Sequence, residues 1–309
     1  MSESVAFTPS FPAFGRNRLI VAVLAIGTAN ALVRPAIEAI DEWGVAGALA
    51  GGLGSGWPVY LGLLGATVLG LRTTVERPFD RWDALALLLC AAGLMVPSSS
   101  FSAITVMALG TWEILRRPPD INYRAGVIIF IAAGARELWV ATAMKMLSPW
   151  LLHIDAVLTR TTLGLLGHPS AVTGNLIETD QGMVLAVLMS CSSFANISLA
   201  LLTWLVLTRW LRPHFERRDL ASALLVALAV IAINLTRLTI MGLGPDNYAL
   251  AHGSVGQTAT ELAILTATLA VTHWGLSNGS EARAAGAGSG PAAGGESRGQ
   301  DRPVQHPPG

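Results

Sequence analysis

Eight apolar runs, separated by polar or basic connections, carry this chain from residue 19 to residue 274. They cover 19–40, 58–71, 84–96, 101–115, 125–147, 182–211, 220–243 and 255–274. About 20 apolar residues cross a hydrocarbon core at 1.5 Å per residue, so the longer runs suffice alone and the second to fourth borrow flanking residues. The pattern predicts an all-α fold, a polytopic membrane helical bundle of about eight transmembrane helices. Ala29-Asn30-Ala31 has the small-residue character of a signal-peptidase site, yet the apolar run continues past it, so an uncleaved first span is expected.

The connections alternate in charge. Arg16 and Arg18 precede the first run. Arg72, Arg77 and Arg81 fill the second connection, Arg116, Arg117 and Arg124 the fourth, and Arg209 to Arg218 the sixth. The first, third and seventh connections hold no Lys or Arg. Short basic loops stay in the cytoplasm, which places both termini there; only the long fifth connection, with Arg160, departs from the alternation. That connection, 148–181, is mixed in character and the longest interior one, a length at which loops tend to be functional or disordered. Residues 277–309 are rich in Gly, Ala, Pro and Ser with little to pack, and are expected to form a disordered cytoplasmic tail behind a transmembrane domain at 1–276.

Composition narrows the class further. Of 309 residues, 52% are hydrophobic and 13% charged, and mean hydropathy is +0.54, which favours lipid over water as the surrounding solvent. Net charge is zero, so nucleic acid is not an expected partner. Cys90 and Cys191 are the only cysteines, too few for a disulfide framework or a thiolate metal cluster, and neither metal nor cofactor is expected. Cys90 lies among Leu, Ala and Gly and reads as a packed small hydrophobe. Arg34 and Glu38, four apart, read as an ion pair on one helix face. Arg136 and Glu137 fall near the middle of the fifth run, where ionisable groups are expensive; as neighbours on a helix they point apart, which suggests interhelical partners or a place beside the functional site.

Three reactive side chains share one level of the bundle. Cys191 lies 18 positions before Arg209, ~27 Å along a helix, and Arg237 lies 19 positions after Arg218, ~28 Å. Both positions fall near the outer edge of the core, and His252 follows the outer turn 244–251. A thiol in apolar surroundings needs a cation or base beside it to become a nucleophile. Arg237 offers a fixed charge and His252 a proton carrier near neutral pH, an acyl-transfer set in which Cys191 attacks a carbonyl. Asn234 shares a face with Arg237. Ser192 and Ser193 are alternative nucleophiles, although no Asp or second His is placed in the sequence to complete a serine triad. The sequons at Asn196 and Asn234 fall inside runs, which argues against glycosylation.

Cys191-Ser192-Ser193, Asn234-Leu235-Thr236-Arg237, His252-Gly253 and the upstream Gly174-Asn175-Leu176-Ile177 together resemble the exosortase/archaeosortase family of membrane cysteine transpeptidases. The likeness covers roughly 174–256. It implies Cys191 as nucleophile, Arg237 as charge stabiliser and His252 as acid/base, with Ser192 and Asn234 in support. It further implies a site on the periplasmic side of the cell inner membrane and two partners besides membrane lipids. Those are exported proteins bearing C-terminal sorting tags and an unidentified surface acceptor. Ser193 stands where the family usually has Gly. A different class, a noncatalytic scaffold or a transporter with Arg136, Glu137 and Arg237 along a polar path, would want midplane helix breaks and repeated halves; no repeat is visible.

Overall fold

The computed structural model describes residues 15–287. Its helices are α1 (Arg16–Ala50), α2 (Trp57–Leu71), α3 (Arg81–Leu94), α4 (Ser99–Leu115), α5 (Ile121–Leu138), α6 (Met144–Leu165), α7 (Ser193–Leu211), α8 (Arg217–Gly242), α9 (Pro245–His252) and α10 (Ser254–Ala287). A π-helical turn, Trp139–Ala143, joins α5 to α6 without a break. Between α6 and α7 lies a three-stranded antiparallel sheet in the order β1 (Ser170–Thr173), β2 (Leu176–Thr179), β3 (Val184–Ala186). Among the described residues, four segments are long and apolar enough to cross a membrane: α1, the continuous α5–α6, α7 and α8. Helices α2 and α4 are apolar but shorter. Leucines such as Leu64, Leu88, Leu89 and Leu224 face outward, a surface that suits lipid.

Local sequence sets the helix starts. Asp80 accepts from the Trp82 and Asp83 backbone N–H groups while Asp83 accepts from the Asp80 N–H, a capping box at α3. Asp120 follows Pro118-Pro119 and caps α5 through the Tyr123 N–H. In α1, Pro35 lies inside the helix and Gly44 breaks it with φ +69°, a conformation an L side chain would resist. Small residues then let helices approach. A Cβ on Gly126 would sit 2.7 Å from the Ala66 carbonyl oxygen, so α5 and α2 touch backbone to backbone, as small-residue interfaces in membranes allow.

Polar groups concentrate at the two ends of the bundle. At the end where α1 begins, Arg16 donates to Asp83 (2.7 Å) and Glu113 (2.7 and 3.1 Å), and Tyr123 donates to Glu113. Arg116 binds Asp80 and Asp83, and its guanidinium holds the Asp80 carboxyl well below the usual carboxylate range. On the same side Arg209 and Arg212 close on Asp219. The expected Arg34–Glu38 pair forms at 2.7 Å with both side chains exposed.

Several expected boundaries move. The sixth run is helical only from Ser193, because 184–186 pair as β3 and Met189–Cys191 form a single 3-10 turn. The mixed connection 148–181 is mostly structured: helix α6 runs to Leu165, with Pro149 inside its first turns, and β1 and β2 follow. The all-α class holds, with one small three-stranded sheet among the described residues as a local addition to it. The boundary expected at 277 falls within α10, which continues to Ala287; the rest of the expected tail lies outside the described residues.

Candidate active site

Cys191 ends the 3-10 turn that hands the sheet over to α7. Its backbone N–H donates to Leu188 O at 2.9 Å, and Ser192 then caps α7, its hydroxyl accepting from the Phe194 N–H at 3.2 Å. The thiol is buried at 4% exposure among Leu152, Ile177, Leu185, Leu238 and Ala251, with Ser190 Oγ at 3.9 Å from Sγ. Since Cys191 precedes the helix, the helical rise to Arg209 begins at Ser193 and spans ~24 Å, so Cys191 sits at the mouth of α7 instead of inside a span.

Two polar side chains hold this turn from opposite sides. Asn234 of α8 donates through Nδ2 to Cys191 O at 2.8 Å and to Ser193 Oγ at 3.1 Å, and its Oδ1 accepts from Asn196. Asp155 of α6 accepts through Oδ2 from Ser192 Oγ and from the Ser193 N–H, both at 3.0 Å. Asp155 and Asn234 are each almost fully buried, so these bonds lie where a lost partner is costly. Sequence reasoning missed Asp155 because it reads 148–181 as a loop. The available signal was an acid amid the apolar stretch Trp150 to Leu158, which only a helical reading turns into a buried face. Contrary to the sequence expectation, an Asp does stand beside Ser192. Among the described residues no His bonds that serine, so a serine triad is not assembled.

The Gly174-Asn175 pair is the two-residue turn between β1 and β2, with Thr173 opposite Leu176 and Gly174 at φ +63°; such hairpin turns favour glycine at positive φ. His153 of α6 contacts Gly174 O through Nδ1 at 2.8 Å, and Asn175 donates to Val187 O at 2.9 Å. The sheet is thereby clamped on α6 and delivers the chain to Cys191.

Arg237, one turn beyond Asn234, donates through Nε to Ala251 O at 3.0 Å. This bond ties α8 to the residue before His252. Its two terminal nitrogens have no protein partner among the described residues. His252 ends α9, exposed, with its ring stacked on Tyr248 at 4.9 Å between centroids and 13° between planes. The structure therefore brings the Cys191, Arg237 and His252 segments together around Ala251, which packs in the same cluster as the thiol. It does not bring the reactive atoms into contact: Cys191 Sγ has no hydrogen bond to Arg237 or His252. Beside Arg237 an apolar cavity of about 480 Å³ opens between α8, α9 and α10, lined by Ile233, Ile240, Leu250, Val255 and Ala259. Neither Cys191 nor His252 lines it.

Arg136 and Glu137 pair with each other, a correction to the expectation of partners on other helices. Adjacent positions are ~100° apart on a helix, and the long arginine side chain closes that angle where burial demands a counter-charge. Cys90 is packed in the core, as its surroundings suggest. Among the described residues no group of three His, Cys, Asp or Glu side chains is placed to hold a metal ion. Comparison of the chain with protein-family models, curated proteins and solved structures finds no match.

Proposed function

We propose that this chain is a membrane-embedded cysteine transpeptidase or peptidase acting on C-terminal sorting tags of exported proteins at the outer face of the cell inner membrane. The observation that supports it most is the Asn234–Cys191 hydrogen bond together with the Arg237–Ala251 bond. These two contacts gather three segments distant in sequence around one buried thiol. In this reading Cys191 gives its thiol proton to His252, and the thiolate attacks the peptide carbonyl carbon, forming a C–S bond while the carbonyl electron pair moves onto oxygen. The free nitrogens of Arg237 stabilise that oxyanion. Collapse breaks the C–N bond, and His252 protonates the departing amine. An acceptor amine, or water, then releases the thioester and returns its proton to His252. Substrate binding must open the Cys191 turn and swing the His252 ring inward, since the thiol is covered in this state. The apolar cavity beside Arg237, about 480 Å³, has room for a few apolar side chains of a tag.

The eight-span topology with both ends cytoplasmic belongs to the same proposal. Reporter fusions at Ser99 and Asn247 are expected to be external and those at Asp120 and Glu216 cytoplasmic; an external Glu216 reporter sinks the topology. The chemistry is tested by following the size of a tagged protein in cells. Cys191→Ala should abolish processing at normal membrane abundance, and Cys90→Ala should leave it unchanged. Native-rate processing by Cys191→Ala removes the cysteine mechanism and leaves the scaffold or transporter reading in its place.

A further inference from the structure

A second cavity, about 350 Å³, lies at the same end of the bundle between α1, the loop before α2, the start of α4 and the π-helical turn after α5. Unlike the apolar cavity beside Arg237, its wall mixes polar with apolar groups and carries charged side chains of both signs. It reaches Met189, the first residue of the turn that carries Cys191.

Three of the eight buried side-chain polar atoms that lack a hydrogen-bond partner among the described residues belong to residues of this wall. They are Ser55 Oγ, Ser99 Oγ and Arg136 Nε. Ser55 is only 2% exposed. Buried polar groups are paired in nearly all native structures, and clustered exceptions mark a water, ion or ligand site. Arginine Nε can only donate and serine hydroxyls can donate, so the shared need is for an acceptor. Ser99 and Ser100 also open α4, where the first backbone N–H groups have no helical partner and the helix dipole favours an anion.

Charge and depth narrow the ligand. Within the wall Arg34 pairs with Glu38 and Arg136 with Glu137, which leaves Lys145 opposed by Glu42. So balanced a wall suits a singly charged oxyanion better than a doubly charged one. The donors come from three separate elements of the wall, the loop before α2, the start of α4 and the continuous α5–α6 helix, so they can meet the several oxygens of a tetrahedral group from different sides. Lys145 lies 24 positions along the continuous helix from Ile121, ~36 Å, which is beyond a ~30 Å apolar core and at headgroup level.

We infer that this cavity binds a phosphodiester group through Ser55, Ser99, Arg136 and Lys145, placed beside the turn that carries Cys191. Either a membrane phospholipid headgroup or a soluble phosphate ester supplies that chemistry. The inference does not depend on Cys191 acting as a nucleophile.

Lys145 is the chain's single lysine, so acylation by an amine-reactive ester beyond the amino terminus reports on it alone by intact mass. The full-length protein is labelled in phosphate-free detergent micelles, with and without dimethyl phosphate, and in nanodiscs of phosphatidylglycerol. Dimethyl phosphate at ten times its Kd should slow Lys145 labelling about tenfold, while chloride at equal ionic strength should not. Protection in the nanodiscs but not by the soluble ester assigns the lipid as the source; protection by the ester in micelles assigns a soluble one. Ser55→Ala and Ser99→Ala, each removing a hydroxyl with no protein partner, should fold normally and lose most of the protection. The inference is overturned if neither dimethyl phosphate nor phosphatidylglycerol protects Lys145, if chloride protects equally, or if both serine variants keep full protection, outcomes that leave a cavity filled by water. Because no processing is measured, failure here and failure of the cysteine mechanism are separable.

Discussion

Arg16 and Arg136 are both arginines drawn into the bundle beside carboxylates, at opposite ends, and their surroundings differ. Arg16 spends both faces of its guanidinium on Asp83 and Glu113, and those acids are bound in turn by Arg116 and Tyr123. Arg136 meets one acid, its own neighbour, and its Nε has no partner. A closed network joins α1, α3, α4 and α5 and uses every guanidinium nitrogen of Arg16 within the chain. An open one keeps donors unspent next to a cavity. Buried charge is costly either way, and Arg209 Nε and Arg212 Nε are also unpaired on the side of Arg16, so what sets Arg136 apart is the cavity beside it. The Cys191 turn lies at the open end but is itself held shut, by Asp155 and Asn234.

The sharpest way to break this contrast is Arg16→Ala. Removing one partner of a buried network leaves Asp83 with Arg116 as its remaining arginine and Glu113 with only the Tyr123 hydroxyl, which should destabilise the fold by about 3–5 kcal/mol, read as a lowered thermal transition in detergent. A loss no greater than that of an exposed variant such as Arg34→Ala would show that the closed end is not what ties the first five helices together.

Asp155→Ala comes next. It strands the Ser192 hydroxyl and the Ser193 N–H without an acceptor, a loss of about 1–3 kcal/mol. Loosening the turn should also speed alkylation of Cys191 by a small thiol reagent about tenfold, the factor that ~1.4 kcal/mol of easier opening gives. Asp155→Asn, which keeps an acceptor oxygen, should recover most of both effects; if it alkylates as fast as the alanine variant, the carboxylate's charge matters more than its hydrogen bonds.

Smallest of all is Ser55→Ala, whose hydroxyl makes no bond within the protein. Its stability should change by less than about 0.5 kcal/mol, measured in the same thermal assay without added phosphate ester. A clear loss there would mean that Ser55 is paired after all, which would make the open end resemble the closed one.

Much of this was readable from residue order. Apolar runs, some of membrane length and some shorter, predict helices wherever α1 to α5, α7, α8 and α10 occur, because in lipid every backbone N–H and C=O must be satisfied within its own segment. The caps at Asp120 and Ser192 set helix starts through bonds that reach only two or three residues along the chain, although the run 182–211 did not mark the second of them. Arg34 and Glu38 are legible for the same reason. The failures lie where bonding reaches further. A β-ladder pairs residues by register, not by proximity in sequence, so β3 lies hidden at the start of an apolar run and Cys191 falls outside its helix.

What the sequence by itself determined is therefore the helical, membrane-length character of the chain and the height of Asn234 and Arg237 along α8, since a helix converts residue count into height; the place of Cys191, outside its helix, was not fixed that way. The azimuth of each helix, and with it every partner, was decided only by the tertiary structure. Asp155 meets Ser192 across 37 positions and Asn234 meets Cys191 across 43. Arg16 reaches Glu113 across 97. Periodicity within a segment carries no record of which neighbour that segment will face; close contact between helices, with glycines such as Gly126 permitting it, chooses the neighbour, and that choice closes one buried arginine and leaves the other open.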